Sequence, residues 1–170
     1  NELADRLVTS SSYEMAEKKM QLIESDIVPV IRRNAAANAR LSQRKGIDLI
    51  YKEQLGPEDK SLIILMDKAS IEQLLNNLIS NAIKFSFPES SIKVTLFKDE
   101  TNVNIKVKDH GQGIPESEIA FLFNNSNRTS TVKPTANENS TKLGLNIVKN
   151  IIDKHNGLIE AKSKVRVVCV

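Results

Sequence analysis

The stretch that most constrains this chain is DKASIEQLLNNLISNAIKFS, Asp67 to Ser86. Its apolar residues Ile71, Leu74, Leu75, Leu78, Ile79, Ala82 and Ile83 recur at three and four. That period predicts an amphipathic helix with a broad buried face. Asp67 or Ser70 suits the N-cap, and Ser70 with Gln73 fits a capping box. On its polar side Asn77, Asn81 and Lys84 stand at i, i+4 and i+7 and form one stripe beside the buried face. Two carboxamides and an ammonium suit an anionic group and its metal, because an Asn oxygen ligates hard cations and Lys reaches phosphate. Taken alone, the stripe is equally a solvated helix face.

The flanking sequence predicts alternating elements. A strand is expected within Lys18–Glu24, then a helix over Ile27–Arg44 capped by Ser25 or Asp26. Its apolar face is read as Ile27, Val30, Ile31, Ala35, Ala39 and Leu41; Pro29 lies in its first turn and Gly46 ends it. Ile47–Tyr51 and Leu62–Met66 read as strands joined by the turn-rich Gly56-Pro57-Glu58-Asp59. After Pro88, Ile92–Phe97 and Val103–Val107 alternate around a turn at Asp99–Asn102, which predicts a hairpin. Pro115 opens a short helix, Glu116–Phe123. Residues 124–142 are polar and aperiodic. Leu143–His155 is a further long helix, ended by Asn156-Gly157, with His155 read as a favourable helix C-terminal residue. Leu158–Ala161 and Val165–Val170 read as closing strands. The expected class is α/β (α+β): a two-layer sandwich with a mixed, mostly antiparallel sheet covered on one face by about three helices.

Composition narrows the function. A formal charge of +3 comes from scattered Lys and Arg without aromatic interleaving, so no nucleic-acid partner is expected. One cysteine, Cys169, excludes an internal disulfide or a Cys-cluster zinc site, and two histidines exclude a His-based metal cluster. No apolar run approaches membrane-spanning length.

Asp109-x-Gly111-x-Gly113 follows a strand and precedes a helix. Glycines there let the backbone approach a ligand, and Asp109 supplies an acceptor; alone, the pattern is a common turn signal. Leu143-Gly144-Leu145 opens a helix after a long loop, a ready phosphate site. In order, the pieces describe a nucleotide pocket. Asp109 reads an exocyclic amine, the Asn helix holds Mg²⁺ and phosphates, and the loop closes over them.

The sequence resembles the catalytic, ATP-binding domain of sensor histidine kinases. This domain has the Bergerat fold, shared with gyrase, mismatch-repair and heat-shock chaperone ATPases. NLISNAIKFS (Asn77–Ser86) is similar to the N box, DHGQGI (Asp109–Ile114) to the G1 box, Phe121–Phe123 to the F box and STKLGLNIVK (Ser140–Lys149) to the G2 box. The resemblance covers Lys18–Val170. It implies that residues 1–17 are the end of a dimerisation-domain helix and linker, and 18–170 a catalytic domain with an ATP lid at about 124–142. By position it implies Asn81 as the Mg²⁺ ligand, Asn77 as support for metal and phosphate, and Lys84 as a phosphate contact. Phe85 would flank the nucleotide, Asp109 would accept from the adenine amino group, and Gly111, Gly113, Ile114 and Phe123 would shape the wall. Arg128, Thr141, Lys142, Leu143, Gly144 and Leu145 would line the lid and phosphate end. The G2 pattern departs from the family at Ser140 and Lys142, where glycines are usual.

The hydrolysing relatives place a Glu four residues before the metal-binding Asn. Here Asn77 stands there, a poor base. The resemblance therefore implies a histidine protein kinase domain. It would move the γ-phosphoryl of Mg-ATP to a histidine outside this sequence, on a dimerisation/phosphoacceptor domain of the same protein. A response regulator receives it next, in a cytoplasmic, two-component homodimer, and the resemblance is compatible with a membrane-anchored parent. His110, inside the G1 motif, is not read as the acceptor. The alternatives are a degenerate nucleotide-binding or scaffolding module, motivated by Ser140 and Lys142, and a chaperone-type hydrolase.

Overall fold

The computed structural model describes residues 20–123, 135 and 144–164. Its strands are β1 (Ile23–Asp26), β2 (Asp48–Gln54), β3 (Ile63–Met66), β4 (Ser91–Lys98) and β5 (Val103–Lys108). Its helices are α1 (Val28–Arg44), α2 (Lys68–Phe85), α3 (Glu116–Ile119) and α4 (Gly144–Lys154). The expected N-terminal helix end, most of the loop over 124–142 and the strand Val165–Val170 lie outside the described residues.

α2 forms where its period demands. The Asp67 carboxylate accepts from Ser70 N at 2.8 Å, so Asp67 caps the helix, satisfying one of the backbone donors orphaned in its first turn. The same carboxylate accepts from Gln21 N at 3.0 Å, and these two bonds hold it below the usual carboxylate range. Ile71, Leu74, Leu75, Ile79, Ala82 and Ile83 are buried, as the spacing predicts. They enter one core with Ile31 of α1, Ile92, Val94 and Leu96 of β4, and Val148 and Ile151 of α4.

α1 starts one residue later than expected. No side chain caps it at Ile27; Asp26 instead accepts from Val28 N and Leu62 N at 3.0 and 3.1 Å, stitching the helix start to the residue that precedes β3. Its buried face also differs. Leu41 is exposed, while Asn34, Asn38 and Ser42 are buried with Val30, Ile31 and Ala35. The helical period runs through polar residues there, so a purely apolar reading drifts off the face.

β2 and β3 do not pair with each other. β1 and β3 form an antiparallel two-stranded sheet, while β2–β4–β5 form a second sheet, parallel between β2 and β4 and antiparallel between β4 and β5. Chain through α2 separates β2 from β4, which permits the parallel step. The predicted hairpin is β4–β5, and Asp99 closes its turn by accepting from Thr101 N and Asn102 N. Those bonds and the Asn104 amide pull the Asp99 carboxyl down to about 2. α3 ends at Ile119, four residues short of the prediction, and i→i+3 bonds from Phe121 N and Leu122 N carry the chain on as a tight turn. Residues 158–164 form no ladder among the described residues, and Leu158 is 96% exposed.

Candidate nucleotide site

The C-terminal half of α2 carries the polar stripe, and two other elements meet it. Asn77, Asn81 and Lys84 are half-buried along one side. Asn77 donates from Nδ2 to Gln73 O at 2.9 Å, which fixes its carboxamide and leaves Oδ1 as the acceptor turned away from the helix backbone. The first turn of α4 lies against that oxygen. A Cβ on Gly144 would sit 2.9 Å from Asn77 Oδ1 and 3.7 Å from Asn81 Nδ2. The N-terminal end of α4, with its unpaired N–H groups and positive dipole end, therefore faces the carboxamide stripe.

The second element is the Asp109–Gly113 turn. Gly111 pairs with Ser86 in an isolated antiparallel bridge. A Cβ at Gly111 would overlap the Phe85 carbonyl oxygen and lie 2.9 Å from its carbon, so only glycine allows this approach. Asp109 Oδ1 accepts from Gly111 N at 2.9 Å, tying the exposed carboxylate to the turn. Gly113 adopts φ +80°, the left-handed region that glycine enters freely. Ile114 N donates to Ser163 Oγ at 2.9 Å. The turn is thus locked to the end of α2, one helical turn beyond Asn81.

The end of α2 is itself held from outside. Lys45 Nζ donates to the carbonyls of Ile83 and Lys84 at 2.8 and 2.7 Å. Thr135 Oγ1 lies 2.9 and 2.7 Å from the Lys84 and Ser86 carbonyls, which share its one proton, and its backbone N donates to Lys84 O at 3.1 Å. A cation on the final carbonyls complements the negative end of the helix. At the other end His155, read from the sequence as a favourable helix C-terminal residue, bridges two helices. Its Nε2 accepts from Asp67 N at 3.0 Å and its Nδ1 donates to Ile151 O at 2.7 Å, pinning α4 to the start of α2. His110 Nδ1 is engaged with Ser91 O at 2.7 Å, a structural contact.

Of the expected site residues, α2 supplies Asn77, Asn81, Lys84 and Phe85, and the bridge at Gly111 brings Asp109 to Gly113 beside them. Ile114 and Phe123 are half-buried on the chain that follows; Gly144 and Leu145 open α4. Arg128, Thr141, Lys142 and Leu143 lie outside the described residues, as does Ser140. Lys45, Thr135 and Ser163 were not legible as site supports. Each acts through a contact 38 or more residues distant in sequence, which no local pattern announces. A shallow groove of about 420 Å³ runs on the α1 side of the stripe, lined by Asn38, Glu72, Gln73, Asn76 and Asn77.

This arrangement has known counterparts. A family model described as "Histidine kinase-, DNA gyrase B-, and HSP90-like ATPase" matches residues 66–169. The chain belongs to that family. Within it, the likeness is to sensor histidine kinases, and the chain is an ATP-binding catalytic domain of that type. It is 37% identical over 128 residues to the heme sensor protein HssS of Staphylococcus haemolyticus (strain JCSC1435), covering 70% of this chain and 27% of that protein. It is 34% identical over 111 residues to sensor histidine kinase YvrG of Bacillus subtilis (strain 168), covering 65% and 19%. The chain thus spans about a quarter or less of the length of these curated relatives. Among solved structures, the catalytic domain of histidine kinase ThkA superposes with a TM-score of 0.66 at 26% identity, covering 80% of this chain and 82% of that one. The Bergerat-type fold follows. No helix among the described residues is long and apolar enough to cross a membrane.

Proposed function

We propose that this domain binds Mg-ATP between the α2 stripe, the Asp109–Gly113 turn and the first turn of α4. It then presents the γ-phosphoryl to a histidine on a separate helical domain, from which a response-regulator aspartate receives it. The observation that carries this reading is the packing of Gly144 against Asn77 Oδ1 and beside Asn81. Neutral oxygen ligands and a helix N-terminus converge there, a donor set that fits a hard cation and the phosphates it bridges. Asn81 would hold Mg²⁺ with Asn77 supporting it, and the ion supplies neutralisation of phosphate charge.

This chain's own residues do the rest. Asp109 accepts from the adenine amino group. Phe85 and Ile114 flank the base, and Phe123 closes the wall beyond them. Lys84 contacts phosphate. From the segment between α3 and α4, Arg128 adds a guanidinium and Thr141, Lys142 and Leu143 lead into Gly144 and Leu145 at the phosphate end. Asn77 does not take up a proton near neutral pH, so no side chain at that position activates water, and the phosphoryl is kept for the acceptor. The parent protein would act as a cytoplasmic homodimer.

The test supplies a helical phosphoacceptor domain in trans with γ-labelled ATP. Acid-labile label on its histidine, absent with Asn81→Ala, supports the reading. Steady phosphate release without acceptor would instead favour a hydrolase. Nucleotide binding without either reaction would favour a scaffolding module.

A further inference from the structure

The apolar seam between α1 and α2 holds a cluster of carboxamides at its middle, apart from the exposed Arg33–Glu72 pair. Asn34 and Asn38 on α1 are 7% and 6% exposed, and both donate from Nδ2 to the same oxygen, Asn76 Oδ1, at 3.0 and 3.1 Å. Asn34 also reaches Glu72 O at 3.3 Å, and Asn38 returns to Asn34 O at 2.9 Å. Three carboxamides thus tie the middle of α2 to α1 one residue before Asn77. None belongs to the nucleotide-binding set named above.

We propose that Asn34 and Asn38 are positioning residues that fix the rotation of α2, and so aim Asn77 and Asn81 at the N-terminus of α4. Apolar packing is non-directional and tolerates rotation, whereas a buried amide pair satisfies its hydrogen bonds in one register only. Asn76 and Asn77 lie about 100° apart around the helix, so anchoring one to α1 sets the direction of the other. A roll of roughly 20°, within the ordinary scatter of helix packing, moves a side chain about 5 Å from the axis by about 2 Å. A misplacement of that order is enough to spoil a catalytic or metal-binding geometry. The inference rests on the Mg-nucleotide reading, and it assigns the control of that site to residues that never touch the ligand.

The test is calorimetric titration with a non-hydrolysable ATP analogue, with and without Mg²⁺, alongside thermal unfolding. The paired variant Asn34→Leu/Asn38→Leu removes both donors while keeping the branched heavy-atom shape. Asn76 is exposed, so its freed oxygen turns to water and the loss of stability should be modest. The Mg²⁺-dependent gain in affinity should nonetheless fall about tenfold or more, the usual effect of losing an outer-shell partner. Asn76→Ala, at an exposed position, removes the shared acceptor and should lower the same gain, so the inference stays testable if the paired variant does not fold. An unchanged Mg²⁺ gain in a folded variant overturns the inference, because a merely structural role moves only the melting temperature. No Mg²⁺-dependent binding by the wild-type chain would overturn the nucleotide reading and this inference with it.

Discussion

Gly111→Ala should be among the most damaging single-methyl changes in the domain. The added Cβ would overlap the Phe85 carbonyl oxygen and approach Asp109 Oδ1 to 3.1 Å. The carbonyl belongs to the last residue of α2, whose end is held by Lys45 and Thr135, so the obstruction is backbone that has little room to retreat. The turn must therefore move out, opening the Ser86–Gly111 bridge and stretching the Phe87 N to His110 O bond, already 3.4 Å. Overpacking of this kind costs about 1–3 kcal/mol. For a chain of this length that corresponds to a drop of roughly 2–12 °C in melting temperature. Differential scanning calorimetry measures it, and ADP titration of the folded variant should show weaker binding, since Asp109 moves with the turn. Gly144→Ala is the control. Its Cβ meets a side chain rather than backbone, and Asn77 can turn aside at the cost of its bond to Gln73 O, so stability should fall less than in Gly111→Ala while Mg-nucleotide affinity falls. Wild-type melting and ADP affinity in Gly111→Ala would refute the steric account of the site.

Other expectations follow from the same contacts. Asp67→Ala removes the α2 cap and should cost about 0.5–2 kcal/mol at neutral pH by urea denaturation. Because folding depresses the Asp67 carboxyl, its contribution is present above the ordinary carboxylate value and is lost as pH falls through the folded one. The difference between wild type and variant should therefore shrink in strongly acidic buffer, and a gap independent of pH would count against the assignment. His155→Ala strands Asp67 N and should destabilise by about 1–3 kcal/mol, read in the same assay. Glu89 sits at φ +58°, so Glu89→Gly should stabilise by up to about 1 kcal/mol; a loss would show that its side chain matters more than its backbone.

The parts of this fold that local pattern controls were legible. α2 begins and ends within a residue of its prediction because Asp67 caps it and its apolar period is unbroken. The β4–β5 hairpin follows from alternation and from the Asp99 turn chemistry. What failed depends on distant partners. β2 and β3 were both legible as strands, but their partners were not, because pairing is decided by which strands the helices bring together. The α1 face was misassigned where Asn34, Asn38 and Ser42 take core positions, since a buried amide is tolerated only through bonds that sequence does not display. The motif residues of α2 and the Asp109 turn were legible as types. Their grouping into one pocket was read from the order of the motifs; the packing that lets them approach was not, because it depends on the missing Cβ at Gly111 and Gly144.

The most direct measurement of the central claim is calorimetric titration of the wild-type chain and of Asp109→Asn with ADP and with a non-hydrolysable ATP analogue. Asp109 is exposed and its exchange for Asn keeps an acceptor for Gly111 N, so the fold should survive. The account predicts that the wild type binds both nucleotides and that the variant loses at least tenfold for each, because a neutral amide replaces the charged acceptor of the adenine amine. Equal binding by the two proteins, or none by the folded wild type, would contradict it.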